Sequence, residues 1–199
     1  MQAALPIEAH HRLGQWKQSL VELHDEADEV NKTLRLQIGG AVGDGQALGP
    51  DADRINALVA DRLDLSLPTG SWHNNRGCLV RYADWLTRVT GSLGKIGQDI
   101  ALMAQQGIDE ITLEGGGGSS AMPHKQNPIR AELLVTLARF NAGQNGVMGQ
   151  TMVHEQERSG AAWALEWMVL PQMTMAAGCA THSARKLFDS VIAIGMPAR

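Results

Sequence analysis

The residues best equipped for chemistry lie between Gly115 and Pro128, in the stretch GGGGSSAMPHKQNP. Ser119 and Ser120 place two hydroxyls directly after four consecutive glycines, Gly115 to Gly118. Lys125 adds a full positive charge. Asn127 reads as a helix N-cap and Pro128 as the first helical residue behind it. A helix N-terminus offers unpaired N–H groups and partial positive charge, which suit an anion. The combination reads as a lid that closes over a carboxylate or phosphate and carries a hydroxyl to it. A flexible surface connection is the competing reading, because loops are generically rich in glycine. A P-loop fits less well, since Lys125 follows the serines instead of preceding one.

Other polar residues offer weaker signals. His154-Glu155 is not a zinc-protease helix, because Arg158 stands where the second His is required. His10, His11 and His24 read as surface or helix-end residues with no second ligand set nearby. Cys78 and Cys179 match no metal or redox spacing, which suits a reducing, cytoplasmic setting. The net charge of −4 advertises no nucleic-acid surface. No run is long and apolar enough to cross a bilayer, and the Asn31-Lys32-Thr33 sequon falls inside a helical pattern.

Several long helices must position these residues. The 199-residue chain is 44% hydrophobic and only 4% aromatic, so its core is built on Leu, Ala, Val, Ile and Met. Leu13, Trp16, Leu20, Leu23, Ala27, Val30 and Leu34 recur at three- and four-residue steps and predict a first helix starting at Pro6. A glycine-rich turn, Gln37 to Pro50, follows; it is either a close approach to a ligand or a packed connection. A short helix is expected over Asp51 to Leu63, with Ile55, Leu58, Val59 and Leu63 on one face. Long helices are expected over Leu79 to Gln106, from Pro128 to about Met152, and from about Trp163 to Ile194 with a kink at Pro171. Gly91, Gly94 and Gly97, and again Gly143, Gly146 and Gly149, form small-residue stripes that permit close helix packing. Ile108 to Leu113 reads as a short extended piece leading to the lid. The fold class is all-α, a long-helix bundle.

GSSAMPHKQNP resembles the contiguous signature GSSxMPxKxNP of the fumarase/aspartase superfamily and carries each of its fixed positions. A second stretch resembles the segment EHERSxxxWxxEWxxLP of the superfamily's 3-carboxy-cis,cis-muconate cycloisomerase branch. Glu157, Arg158, Ser159, Trp163, Glu166, Trp167, Leu170 and Pro171 match it, and Gln156 replaces the His. QIGGAVG resembles the QxGGAxG turn of the same branch. Gln2, Ala4 and Pro6 match the tail of a further segment, GRTHxQxAxPxT. Arg76 matches the first arginine of an arginine-containing loop, whereas Gly77 and Cys78 replace the usual Asp-Arg.

The resemblance implies the central helical domain of that superfamily over residues 1–199, with an active-site lid at about 113–127. It also implies a fragment lacking the smaller N-terminal and the C-terminal domains. Four such chains are expected to associate, as a homotetramer in which each site draws on three chains. The implied activity closes 3-carboxy-cis,cis-muconate to a γ-lactone by adding a carboxylate across a double bond, in aromatic-acid catabolism. Ser119 is the catalytic residue by motif position. Ser120, Met122, Lys125, Asn127 and Arg158 are the substrate-binding residues. The substrate is a small polycarboxylate, and no metal or organic cofactor is called for. A β-elimination enzyme like adenylosuccinate or argininosuccinate lyase, and a non-catalytic helical assembly fragment, are the alternatives.

Overall fold

The computed structural model describes residues 5–118, 121–122 and 125–195. The expected helices are present with shifted ends: α1 (Ala9–Lys32), α2 (Ala52–Leu63), α3 (Gly77–Met103), α4 (Ile129–Gln150) and α5 (Gly160–Asp189). A 3-10 stretch, Gln46–Asp51, leads into α2, and α5 runs through Pro171. Among the described residues there are also four short strands: β1 (Ile111–Leu113), β2 (Gly117–Gly118), β3 (Gln126–Asn127) and β4 (Val191–Ile194). Among the described residues no helix is long and apolar enough to cross a membrane. The residues group into two compact units, to each of which α1, α3, α4 and α5 contribute a stretch.

The first unit comprises Met1–Leu23, Thr87–Ala142 and Met175–Arg199. Its core joins Trp16 of α1 to Leu93, Ile96 and Ile100 of α3, Leu134 of α4 and Leu187 of α5. The Trp16 indole N–H donates to Asp99 Oδ2 at 2.7 Å, so the one polar atom of a buried ring is satisfied. Two glycines of the expected stripe allow α4 to approach α3. A Cβ at Gly94 would lie 2.4 Å from the Ala138 Cβ, and one at Gly97 only 2.5 Å from the Ala131 carbonyl oxygen. Gly91 faces open space, as do Gly143, Gly146 and Gly149.

The magnitudes at Gly91 and Gly97 have opposite signs. Alanine is favoured over glycine inside a helix by about 1 kcal/mol, so Gly91→Ala should raise the thermal midpoint. At Gly97 overpacking against backbone costs about 1–3 kcal/mol, which outweighs that gain. Gly97→Ala should therefore lower the midpoint in the same calorimetric scan.

The last helix ends earlier than its apolar pattern suggests. It stops at Asp189, and Val191–Ile194 form β4, antiparallel to β1 with Ile111 opposite Ile194 and Thr112 opposite Ala193. The β-branched Val191, Ile192 and Ile194 favour extended backbone. The Ser190 hydroxyl donates to the Leu187 carbonyl at 2.7 Å, taking a helix-end acceptor. The expected extended piece before the lid is β1.

The second unit comprises His24–Leu86 and Gly143–Thr174. Its buried residues include Val30, Leu36, Ala60, Trp72, Met148 and Met173. Of the apolar face expected on α2, Ile55 and Val59 are half-buried, Leu58 and Leu63 are 54% and 59% exposed, and Ala60 is buried. The helix thus turns Ala60 inward and its two leucines outward, with Ile55 and Val59 at the margin. The glycine-rich turn packs on itself: a Cβ at Gly39 would meet the Gly43 backbone at 2.7 Å, and one at Gly43 would overlap the Ser71 hydroxyl. Gly43 also has φ 82°, a conformation that favours glycine.

Candidate active site

The loop between β1 and α4 is pinned at its base. Gly117 pairs with Asn127 and Gly118 with Gln126, antiparallel. The glycines before it serve more than mobility. Gly115 has φ 67°, and a Cβ at Gly116 would sit 2.7 Å from Gln126 Oε1. One at Gly117 would overlap the Ile129 side chain. Ser119 and Ser120 lie outside the described residues. Met122 and Lys125 are exposed, and the Lys125 N–H donates to the Met122 carbonyl at 2.9 Å. Asn127, the expected cap, is half-buried in β3, one residue before the observed helix boundary. The Pro128 carbonyl accepts the Glu132 N–H at 3.1 Å, which makes Pro128 the boundary residue of α4. The shift is one residue, and the N-terminal N–H groups of α4 still follow directly on the loop. Within the first unit the structure therefore places Lys125 and Asn127 on the arm that enters α4.

Arg158 belongs to the second unit, on the turn that precedes α5. It is exposed, and its guanidinium carbon stands 4.0 Å from the centre of the Trp163 ring. Stacking occupies the flat face of a guanidinium and leaves its edge N–H groups open to a carboxylate. Ser159 caps α5: its hydroxyl oxygen accepts the Ala162 N–H at 3.3 Å. The hydroxyl also sits beside Glu155 and holds that carboxyl below its ordinary pKa.

Beneath this turn lies a charged array that the sequence reading did not find. Arg76 and Glu166, 4% and 5% exposed, form a two-pronged ion pair, with Nε and Nη2 donating to the two carboxylate oxygens at 2.7 and 2.6 Å. Arg76 Nη1 donates to Gln37 Oε1 at 2.7 Å, and the guanidinium lies 4.4 Å from the centre of the Trp72 ring. The Trp72 indole N–H donates to the Leu36 carbonyl at 2.8 Å. Arg76 is thus committed to the protein rather than offered to a ligand. Two motif matches, Arg76 and Glu166, were visible in the sequence, but their 90-residue separation hid the pairing.

His73 lines a cavity of about 250 Å³ with Asp44, Asn56, Ser71 and Trp72. Burial, then the Arg158 and Arg76 charges, hold its imidazole below the ordinary value of 6.5. Folding therefore favours its neutral form. The stabilisation from keeping it neutral is complete above about 6.5 and is lost as pH falls through the lowered folded value. Melting curves across that interval should show the midpoint dropping on acidification, and His73→Asn should flatten the drop.

Residues 1–142 match the model of a family described as lyase. The chain is 36% identical over 177 residues to a 3-carboxy-cis,cis-muconate cycloisomerase of Acinetobacter baylyi, covering 87% of this chain and 39% of that protein. It is 31% identical over 174 residues to an N-acetyl-S-(2-succino)cysteine lyase of Enterococcus italicus, covering 85% and 38% respectively. The crystal structure of the 3-carboxy-cis,cis-muconate lactonizing enzyme from Pseudomonas putida matches with a TM-score of 0.86 at 34% identity, over 96% of this chain and 42% of that one. The chain spans between 38% and 42% of the length of these relatives.

Proposed function

Since this chain belongs to the fumarase/aspartase superfamily of lyases, we propose that it supplies the lid and the carboxylate-binding turn of a 3-carboxy-cis,cis-muconate cycloisomerase-type enzyme. The observation that carries this reading is the turn before α5. It presents Arg158 exposed and stacked on Trp163, at matched positions of the segment that marks the cycloisomerase branch. The loop between β1 and α4 supplies the rest.

The chemistry follows from the charge that must be stabilised. A substrate carboxylate oxygen attacks the far carbon of a conjugated double bond and closes a γ-lactone. The electron pair moves to the carbon α to a second carboxylate, giving a dianionic aci-carboxylate. Lys125, Asn127 and the N-terminal N–H groups of α4 are the donors for that charge. Ser119 Oγ–H delivers the proton to the α carbon and its alkoxide is reprotonated from solvent, so closing the lactone takes up one proton. A serine hydroxyl exchanges a proton with carbon only when water is excluded and donors hold its alkoxide, which is the purpose of a closing loop. Ser120 and Met122 lie on the same loop and contact the substrate as it closes. Arg158 takes one of the three carboxylates.

The intact enzyme in this reading is a cytoplasmic homotetramer whose sites draw on several copies. Gly143, Gly146 and Gly149 face open space, and Trp167, Met168 and Met175 of α5 are exposed by 64–67%. Both features suit helices of neighbouring copies. Cys78 and Cys179 are unpaired, which fits a reducing compartment.

A side-by-side assay of the intact protein tests the activity. Loss of the diene absorbance of 3-carboxy-cis,cis-muconate, with no fumarate released from adenylosuccinate or a succinylated thiol, is the expected result. Release of fumarate with no lactonisation would establish the β-elimination reading instead.

A further inference from the structure

We propose that His154 is a positioning residue that sets the Glu155–Ser159 turn and so aims Arg158. The proposal rests on the reading above that Arg158 takes a substrate carboxylate. His154 belongs to no matched position of the motif. Its side chain is nonetheless 1% exposed, and each ring nitrogen faces a defined group. Nδ1 accepts the Ser159 backbone N–H at 3.1 Å. With Nδ1 accepting, the ring proton stands on Nε2, which lies 3.9 Å from Glu166 Oε1. Glu166 is in turn fixed by the two-pronged bond from Arg76.

The turn needs such a device. Gln156, two residues before Arg158, has φ 49°, a left-handed conformation uncommon for a residue other than glycine. Strained backbone of this kind persists only where its surroundings over-determine it. Two clamps do so here. On one side the Asn74 amide donates to the Gln156 carbonyl at 2.6 Å. On the other His154 holds the Ser159 N–H, and the Ser159 hydroxyl then caps α5. Between the clamps the side chains of Glu155, Gln156, Glu157 and Arg158 are all exposed, and Arg158 is the only cation among them. A buried ion pair and a buried imidazole thus brace a turn whose four residues from Glu155 to Arg158, the strained Gln156 among them, are exposed. Burial does not explain that expense; fixing the direction of Arg158 does.

The Nδ1 hydrogen bond can be separated by substitution from the 3.9 Å approach of Nε2 to Glu166. Asn at 154 keeps an acceptor near the Nδ1 position, whereas Gln reaches the Nε2 position and leaves the Ser159 N–H without its acceptor. Binding of propane-1,2,3-tricarboxylate, followed by tryptophan fluorescence of the intact protein, reads the aim of Arg158 independently of turnover. His154→Ala and His154→Gln should each weaken binding about tenfold, within the up to about 10²-fold cost of a 1 Å misplacement. His154→Asn should restore it to within about threefold, and Arg158→Ala should abolish the difference between the His154 variants. With 3-carboxy-cis,cis-muconate the same variants should raise KM and leave kcat within about twofold, the signature of lost uniform binding.

Equal binding by the Ala, Asn and parental proteins, with the helical circular dichroism unchanged, overturns the proposal. So does a parental protein that does not bind the tricarboxylate. If the tricarboxylate responds as expected but 3-carboxymuconate is not turned over, the positioning role stands and the substrate reading fails. If 3-carboxymuconate is turned over and His154→Ala leaves KM unchanged, the reverse holds.

Discussion

Replacing Ser119 with Ala in the intact protein should remove most of the turnover while leaving substrate affinity close to parental. A positioned acid–base group contributes about 10²–10⁴-fold in rate, so kcat should fall by at least that order. Proton delivery to the α carbon happens only in the transition state, and interactions made only there change kcat rather than binding. Lys125→Ala should behave differently. In the proposed reaction its charge would face a carboxylate in the ground state as well as the dianion, so KM should rise and kcat fall together. Steady-state constants for the two variants separate the roles. A Ser119→Ala protein with near-parental kcat would reduce that serine to a hydrogen-bonding residue of the loop.

The second large effect is on stability. Arg76 and Glu166 are a fully desolvated pair joined by two short hydrogen bonds. Removing one partner leaves an uncompensated buried charge, which costs about 3–5 kcal/mol. For a chain of this size each kcal/mol moves Tm by about 2–4 °C. Glu166→Ala should therefore lower Tm by roughly 6–20 °C. Replacing both partners, Arg76→Met with Glu166→Leu, removes the charge and the demand for a partner together. Tm should then recover most of the loss, since apolar replacement of buried pairs is often neutral or better. A Glu166→Ala protein that melts within a degree or two of the parent would contradict the burial and bonding described.

The helices were legible in the sequence because their signal is local. Leu93, Ile96 and Ile100 recur at helical spacing, and the glycines at 94 and 97 announce a close neighbour before that neighbour is known. Both were found where the pattern put them. The end of α5 was not, because Val191, Ile192 and Ile194 continue an apolar pattern while their backbone pairs with β1, some eighty residues earlier in the chain. Leu58 and Leu63 show the limit of reading a face from periodicity: Ile55 and Val59 of the same stripe are half-buried, while the two leucines point outward.

The candidate site divides in the same way. Lys125, Asn127 and Arg158 were visible as motif positions, and the structure gives them an exposed arm and an exposed turn. What fixes the turn was not visible. Asn74, Arg76, His154 and Glu166 meet only through the fold, with partners 82 and 90 residues apart for Asn74 and Arg76. His154 carries no signal in the sequence beyond half of an unmatched zinc motif, yet its ring sits in the middle of that array. Spacing along a chain signals a helix face or a contiguous motif, and carries no information about a contact closed by three separate loops.

The central claim is that the intact protein adds a carboxylate across a double bond and delivers a proton to the carbon α to a second carboxylate. The most direct test is proton NMR of the product formed from 3-carboxy-cis,cis-muconate in deuterium oxide. The account predicts a γ-lactone carrying a single deuterium at that α carbon, in one configuration, and its absence with the Ser119→Ala protein. No lactone from the parental protein, or a lactone with deuterium scrambled between both configurations, would contradict it.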